Sequence, residues 1–128
     1  MVISTPLENI CVESPFDFEE TLKTLRENIA GAEMMVLHEI DTQAIIARAG
    51  IPSDGLRQLL YFHPRYMRRV LETNSAAVIE APLKFVVREN FFGVSIHRIS
   101  PRFLFGRYAG LDSLGEELEE VAAHVVRF

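Results

Sequence analysis

This chain of 128 residues has only one cysteine and no long apolar run. The single cysteine, Cys11, excludes an intrachain disulfide framework and is compatible with a reducing compartment. The stretch from Met1 to Glu13 has neither a positively charged start nor a continuous apolar segment, so we expect no signal peptide. A membrane helix needs about 20 consecutive apolar residues, and no segment approaches that length. These absences predict a cytoplasmic protein without a membrane span.

Motifs for cofactors and metals are also missing from the sequence. The glycine-containing stretch 50–55 lacks the lysine of a nucleotide-binding loop, so no cofactor is expected. No histidine lies near another histidine, or near Cys11, at the short spacing that zinc ligands usually show. The four histidines are His38, His63, His97 and His124. We therefore predict no metal site, although a site assembled from distant segments stays open.

Nucleophilic catalysis has little support in the sequence. Ser95 and His97 are close along the chain, but no strand–turn–helix elbow surrounds Ser95, so a serine nucleophile is disfavoured. Cys11 lies in an apolar segment without a neighbouring cationic residue, and a reactive thiol usually has such a neighbour. We therefore expect Cys11 to be a buried, inert thiol.

The net charge of -5 is distributed unevenly along the chain. Residues 57–107 hold nine basic side chains against three acidic ones, whereas the remainder holds four basic side chains against fifteen acidic ones. The two regions either neutralise each other side by side or leave a basic pole that binds anions. Double-stranded nucleic acid is a less favoured partner, because the acidic ends would have to face away from its phosphates.

Two segments have the apolar periodicity of long helices. Four apolar side chains recur at helical spacing in each segment. They are Phe18, Leu22, Leu25 and Ile29 in the first, and Leu114, Leu118, Val121 and Val125 in the second. Ser14 and Pro15 predict the start of the first helix, and Gly31 predicts its end. Ser113 precedes Glu116 by the spacing of a capping box and predicts the start of the second helix.

Shorter segments complete the predicted secondary structure. Alternation and short apolar runs predict strands over residues 2–13, 34–40, 56–62, 76–79, 83–89 and 94–99, with Leu7, Ile10 and Val12 of the first strand pointing inward. The last two strands form a hairpin that turns at residues 90–93. Short helices are expected from Asp41 or Thr42 to Ala49, and from Pro64 to Asn74. The aromatic segment 102–110 stays ambiguous.

Two long helices with one apolar stripe each need a common apolar surface. Strands that follow one another in antiparallel order can supply that surface as one face of a sheet. The simplest arrangement is a two-layer α+β domain, with a mainly antiparallel sheet and helices on one face. The region 76–99 breaks the strand–helix alternation that a doubly wound α/β fold requires. No linker or repeat divides the chain, so residues 1–128 are expected to form a single domain.

Several short motifs occur in the order seen in a known family. They are Ser14-Pro15-Phe16 with Glu20-Thr21-Leu22 and Leu25, Ile40-Asp41 leading to Ala47, Ala49 and Gly50, the His63-Pro64 helix start, Ala81-Pro82 before Val86-Val87, and Ser100-Pro101. Over residues 10–125 the chain thus resembles the family catalogued as domain of unknown function 302. The resemblance implies a TATA-binding-protein-like fold, with a β-α-β4-α core and short extra helices. It also implies a homodimer and no established activity.

The chain departs from the pattern of that family at three places. Phe62 and His63 stand where family members often have a small residue and Asn before the helix proline. Ala81-Pro82-Leu83 replaces a Leu-Pro that in some members is followed by Cys, and Ser100-Pro101 replaces Asp-Pro. Thiol chemistry that used such a Cys could not occur at the same positions here. These departures disfavour an enzyme.

The start of the helix at Pro64 is the main candidate for a ligand site. Free amide groups and the helix dipole attract anions there. His63 lies at the cap position and Arg65 in the first turn, and we expect Arg98 or Arg102 to reach the same place. The alternative is a solvated basic helix face with His63 as an ordinary cap.

Aromatic residues outside the periodic stripes are candidates for a partner surface. Phe91 and Phe92 lie at the predicted hairpin tip, where they either pack within the loop or contact a partner. Phe103 and Phe105 lie in the ambiguous segment that follows. The resulting prediction is a non-catalytic, dimeric domain that binds a small anionic molecule or a protein partner. The alternative is a small enzyme acting on an anionic substrate, with His63 as the acid–base group.

Overall fold

The structure is a computed structural model that describes residues 8–128. The strands are β1 (Asn9–Ser14), β2 (Met35–Asp41), β3 (Leu56–Phe62), β4 (Leu83–Asn90) and β5 (Gly93–Ile99). The helices are α1 (Phe18–Gly31), α2 (Thr42–Arg48), α3 (Pro64–Thr73), α4 (Pro101–Gly106) and α5 (Asp112–Val125), with a short 3₁₀ helix over Ser75–Glu80. Leu7 and the first half of the predicted strand 2–13 lie outside the described residues.

The five strands form one antiparallel sheet in the order β1-β5-β4-β3-β2. The central strand β4 pairs with β3 and β5, whereas β1 and β2 are the edge strands. The long helices α1 and α5 pack against each other, and α1 also contacts β4. The predicted two-layer α+β class with a β-α-β4-α core and short extra helices is therefore confirmed.

Alternation along the strands separates two faces of the sheet. In β4, Leu83, Phe85 and Val87 are buried, whereas Lys84 and Arg88 between them are exposed. Successive side chains of a strand point to opposite faces, so the buried set faces the helices. We call the other side the open face, and its central side chains are Cys11, Gln58, Leu60, Lys84, Val86, Arg88, Ser95, His97 and Ile99.

The core lies between the helix layer and the buried face of the sheet. The predicted stripe of α1 is buried at all four positions, and that of α5 at three, with Val121 half-buried. Tyr61 and Phe85 stack at the centre of the sheet with ring centroids 4.8 Å apart. Each large apolar side chain removed from water contributes about 1.5–3 kcal/mol, so these stripes hold the two layers together.

Both long helices begin at different residues from those predicted. In α1 the N-cap is Asp17, whose Oδ1 accepts a hydrogen bond of 2.8 Å from the backbone N–H of Glu20. Ser14 cannot cap the helix because it is still paired in β1, and its hydroxyl contacts that of Thr21 instead. The second helix has Leu111 at its N-cap and no side-chain cap, so Ser113 lies inside α5.

The predicted strand over 76–79 is wrong, because this segment is the 3₁₀ helix Ser75–Glu80. Both sides of β3 are already paired, with β2 and β4, so the segment has no sheet edge to join there. The ambiguous segment 102–110 contains most of α4 and a turn. The end of the first predicted strand, the other predicted strands and the short helices are confirmed to within about two residues, whereas the predicted start of the first strand lies outside the described residues.

Gly110 should tolerate no side chain, because its φ is +84° and an added Cβ would lie 2.8 Å from Thr73 Cγ2. We expect Gly110→Ala to lower the free energy of unfolding in urea by about 1–3 kcal/mol. Gly31→Ala is the matched control, because it lies in a helix and its Cβ would meet nothing within 4 Å. That control should be neutral or stabilising by up to about 1 kcal/mol. Equal effects at the two positions would contradict this description of the turn.

Glu39 makes part of the stability dependent on pH. Hydrogen bonds from Arg26 at 2.7 and 2.8 Å, and one from Arg57 at 2.9 Å, hold the pKa of Glu39 below its ordinary value. A carboxylate whose pKa is lower in the folded state than in the unfolded state stabilises the fold at pH values above its unfolded-state pKa. This stabilisation is lost as the pH falls through the folded-state pKa. Glu39→Gln should therefore cost about 1 kcal/mol in urea unfolding at pH 7 and much less at pH 3. A loss of the same size at both pH values would contradict this.

Candidate functional site

A large, mostly apolar cleft lies at one end of the open face. It has a volume of about 750 Å³ and lies where β4 begins and β5 ends, beside the 3₁₀ helix. Its apolar side chains include Leu60, Ile79, Val86, Ile99 and Leu104, and its polar side chains include Asn9, Cys11, Glu80, Lys84 and His97. Ligand clefts typically combine such an apolar lining with a few polar groups.

The strand register assembles this lining from distant parts of the sequence. Cys11, His97 and Val86 form one row across β1, β5 and β4, because Cys11 pairs with His97 and His97 pairs with Val86. Leu60 and Lys84 are paired in β3 and β4. All these side chains share the open face because residues paired across a sheet point to the same side. The sequence showed the strands but not this alignment.

Lys84 is the cationic side chain that the cleft leaves without a carboxylate. Its Nζ donates only a long hydrogen bond of 3.3 Å to Gln58 Oε1. Glu80, the acidic side chain of the lining, accepts hydrogen bonds from Arg107 Nη2 at 2.7 Å and from the Tyr108 hydroxyl at 2.5 Å. Because Glu80 forms an ion pair with Arg107, the cleft presents an apolar surface with the positive charge of Lys84 available to a ligand.

Cys11, Ser95 and His97 form a polar cluster on the same face. His97 Nε2 lies 2.9 Å from Ser95 Oγ and 3.9 Å from Cys11 Sγ. The prediction that Cys11 is buried is wrong, because Cys11 is exposed. Alternation explains the difference: the neighbours Ile10 and Val12 occupy the face toward the helices, which leaves Cys11 on the open face.

The cluster does not have the electrostatics of an activated nucleophile. Burial and the charge of Glu13 raise the pKa of the Cys11 thiol. Burial and the charge of Arg88 lower the pKa of the His97 imidazole. A thiolate–imidazolium pair would need the opposite shifts. Near neutral pH the cluster is therefore a neutral thiol beside a neutral imidazole.

The four residues predicted to bind an anion are not gathered around one cleft. His63 caps α3 as predicted, accepting the backbone N–H of Arg65 at Nδ1 over 3.1 Å. Its side chain lines a separate apolar cleft whose other lining residues are Leu37, Phe62, Pro64, Met67, Arg68 and Leu71, so no carboxylate or nucleophile lies beside it there. Arg65 turns away and donates to the backbone oxygen of Glu33 at 2.6 Å. Anion binding by this helix start stays a prediction.

Arg98 and Arg102 are each paired with a glutamate of α5. Arg98 is buried between β5 and α5, where its Nη1 lies 2.8 Å from Glu119 Oε2. Burial alone would raise the pKa of Glu119, but the hydrogen bond from Ser100 and the adjacent Arg98 guanidinium lower it, so the carboxylate remains charged. Arg102 forms an exposed pair of 2.6 Å with Glu116. Arg98 thus has a structural partner that the sequence analysis missed.

The predicted aromatic partner surface is divided by the fold. Phe91 and Phe92 are 95% and 93% exposed at the hairpin tip, with ring centroids 5.5 Å apart. Phe103 on α4 is 40% exposed, and Arg107 lies over its ring at 5.0 Å. Phe105 cannot contact a partner because it is completely buried in the core, facing the ring of Phe62. Because residues two positions apart lie on opposite sides of a helix, Phe103 and Phe105 point away from each other on α4.

Two kinds of feature are absent from residues 8–128. No group of three or more His, Cys, Asp or Glu side chains in this part of the chain could hold a metal ion. No helix there combines the length and the apolar character that crossing a membrane would require.

Comparisons with known proteins give a family and a fold. The sequence model of a family described as "Domain of unknown function DUF302" matches residues 10–128. The chain is similar to a crystal structure of the uncharacterized conserved protein DUF302 from Bacillus stearothermophilus, with 20% sequence identity and a TM-score of 0.86. That alignment covers 94% of this chain and 96% of the other. No curated protein matches the chain.

Proposed function

The chain belongs to the family described as domain of unknown function DUF302, and we propose that it binds a small molecule in the open-face cleft without transforming it. The observation that carries the proposal is a cleft of about 750 Å³ on a sheet face that the long helices leave exposed. Small-molecule sites are typically concave, mostly apolar and about 300–1,000 Å³ in volume. The cleft falls within that range and has that lining.

The charge of the lining favours an anionic group on an apolar ligand. Lys84 has no carboxylate partner in the part of the chain that the structure describes, whereas Glu80 already accepts hydrogen bonds from Arg107 and Tyr108. The apolar body of a ligand would cover Leu60, Val86 and Ile99, which are half-buried or exposed. A carboxylate, sulfonate or phosphate on that body would face Lys84 and form a charge-assisted hydrogen bond.

The neutral Cys11–His97 pair supports binding without turnover. A general base or nucleophile for chemistry near neutral pH usually has a pKa tuned toward that pH and a group that orients it. The pKa of Cys11 moves away from neutrality, and no carboxylate among residues 8–128 accepts a hydrogen bond from the His97 ring. The cleft is therefore better suited to holding a ligand than to attacking one.

Fluorescent probes of matched shape test the proposal. We expect 8-anilinonaphthalene-1-sulfonate to bind the cleft more tightly than its uncharged counterpart N-phenyl-1-naphthylamine. Lys84→Met should weaken binding of the sulfonate about tenfold, because it removes one charge-assisted hydrogen bond. Binding of the uncharged probe should not change. Lys23→Met is the control, since Lys23 is an exposed lysine on α1, away from the open face. If neither probe binds, or if the two lysine variants behave alike, the proposal is wrong.

We also propose that the chain forms a homodimer through Phe91 and Phe92. Two adjacent rings that are almost fully exposed are unusual on a monomer, and burying them would contribute about 1.5–3 kcal/mol each. The backbone N–H of Phe92 donates to Asn90 Oδ1 at 2.8 Å, which orders the tip before any contact forms.

Sedimentation velocity at micromolar concentration tests the dimer. The unaltered chain should sediment with the mass of two chains, and the double variant Phe91→Ser, Phe92→Ser should sediment as one chain that keeps the far-ultraviolet circular dichroism spectrum of the unaltered chain. A monomeric unaltered chain, or a double variant that remains dimeric, would contradict the proposal.

A further inference from the structure

Cys11 Sγ and His97 Nε2 are held 3.9 Å apart on the open face by two paired strands. The residues are direct cross-strand partners in the β1–β5 ladder, so the backbone places the two side chains next to each other on one face of the sheet. Cys11 is exposed and His97 is half-buried, which leaves the space between them accessible from solvent. Neither side chain has a part in the core.

This separation fits one metal ion bonded to both atoms. Metal–thiolate and metal–imidazole bonds are about 2.3 Å and about 2.0 Å long, so an ion bridging the two donors requires them within about 4.3 Å of each other. The observed 3.9 Å meets that requirement without movement of either strand. The two bonds would then make an open angle at the metal rather than a tight chelate.

The number of donors selects the kind of metal. Structural zinc takes four protein ligands, and residues 8–128 contain no group of three or more suitable side chains. Thiolate sulfur is a soft ligand that favours monovalent copper, and imidazole also binds copper well. A soft cation that accepts two ligands is therefore the one that this pair can hold.

We propose that Cys11 and His97 bind a soft monovalent cation of the Cu⁺ type between Sγ and Nε2. The thiol proton leaves to solvent as the metal–sulfur bond forms, and the metal keeps its oxidation state. The hydrogen bond between Ser95 Oγ and His97 Nε2 breaks, and the Ser95 hydroxyl becomes free to bond water. The site is carried by these two side chains and does not depend on the organic ligand proposed above.

Anaerobic competition for Cu⁺ with bathocuproine disulfonate tests the site on the reduced full chain. We expect one Cu⁺ per chain, no tight binding by Cys11→Ser, and binding by His97→Gln that is weaker by about tenfold or more. His38→Gln is the matched control, because His38 is an exposed histidine on β2, three strands away from β5 in the sheet, and its replacement should not alter the affinity. Titration with Ag⁺, which is inert to oxidation, should give the same order of affinities.

The His97→Gln variant distinguishes a two-residue metal site from an isolated thiol. If His97→Gln binds Cu⁺ as tightly as the unaltered chain, Cys11 acts as an isolated thiol and the two-residue site is wrong. Failure of the unaltered chain to compete for Cu⁺ would also overturn it. Both variants lie on the exposed side of the sheet, and an unchanged melting temperature shows that any lost affinity does not come from unfolding.

Discussion

Replacing Glu119 with Gln should lower the free energy of unfolding by about 3–5 kcal/mol, because it leaves the charge of Arg98 buried without a counterion. The side chains of Arg98 and Glu119 are only 7% and 9% exposed, so water cannot replace the lost carboxylate. Glu119 also accepts the hydroxyl hydrogen of Ser100, which connects the end of β5 to α5. Urea unfolding at pH 7 measures the loss.

Glu116→Gln is the control for this prediction. Glu116 lies on the same helix and also pairs with an arginine, but the side chains of Arg102 and Glu116 are 58% and 55% exposed. An exposed pair contributes about 0–1 kcal/mol, so this variant should change little. The double variant Arg98→Met, Glu119→Leu should recover most of the stability, because it removes both buried charges together. Equal losses from Glu116→Gln and Glu119→Gln would contradict the described burial.

Phe105→Ala should destabilise the protein by about 3–5 kcal/mol, whereas Phe103→Ala should cost less than about 1 kcal/mol. Phe105 is completely buried and faces the ring of Phe62, so its removal leaves a cavity between α4 and the sheet. Phe103, two residues earlier on the same helix, is partly exposed to solvent beside Arg107. Thermal and urea unfolding of the two variants give the comparison.

The same pair of variants also separates two explanations of the aromatic segment. If Phe105 formed a partner surface, its replacement would change association more than stability. A small effect of Phe105→Ala on unfolding, or an effect of Phe103→Ala of similar size, would show that α4 is not packed as described.

The fold was predictable from the sequence because its main determinants are local and periodic. The apolar stripes of α1 and α5 identify the buried side of each helix without any tertiary information. Strand β3 and the β4–β5 hairpin are bounded by residues that interrupt extended structure. Helix starts were less predictable, since Ser14 and Asp17 are both good caps and only the pairing of Ser14 in β1 excludes it.

The candidate site was much less predictable, because it depends on strand register. Lys84, Val86 and His97 were each assigned to the hairpin, but the sequence does not say which side chains share a face with Cys11 or Leu60. Charge counting along the chain also failed to show that Arg98 is paired inside the protein with Glu119. A basic segment can thus contain arginines that are unavailable to any ligand.

The measurement that tests the proposed function most directly is a map of amide NMR shifts on adding 8-anilinonaphthalene-1-sulfonate. We expect the largest shifts at Leu60, Lys84, Val86, His97 and Ile99, with smaller shifts along the adjacent 3₁₀ helix. Lys84→Met should reduce these shifts at equal probe concentration. Largest shifts in the cleft around Leu37 and Leu71, or at Phe91 and Phe92, would contradict a ligand site on the open face.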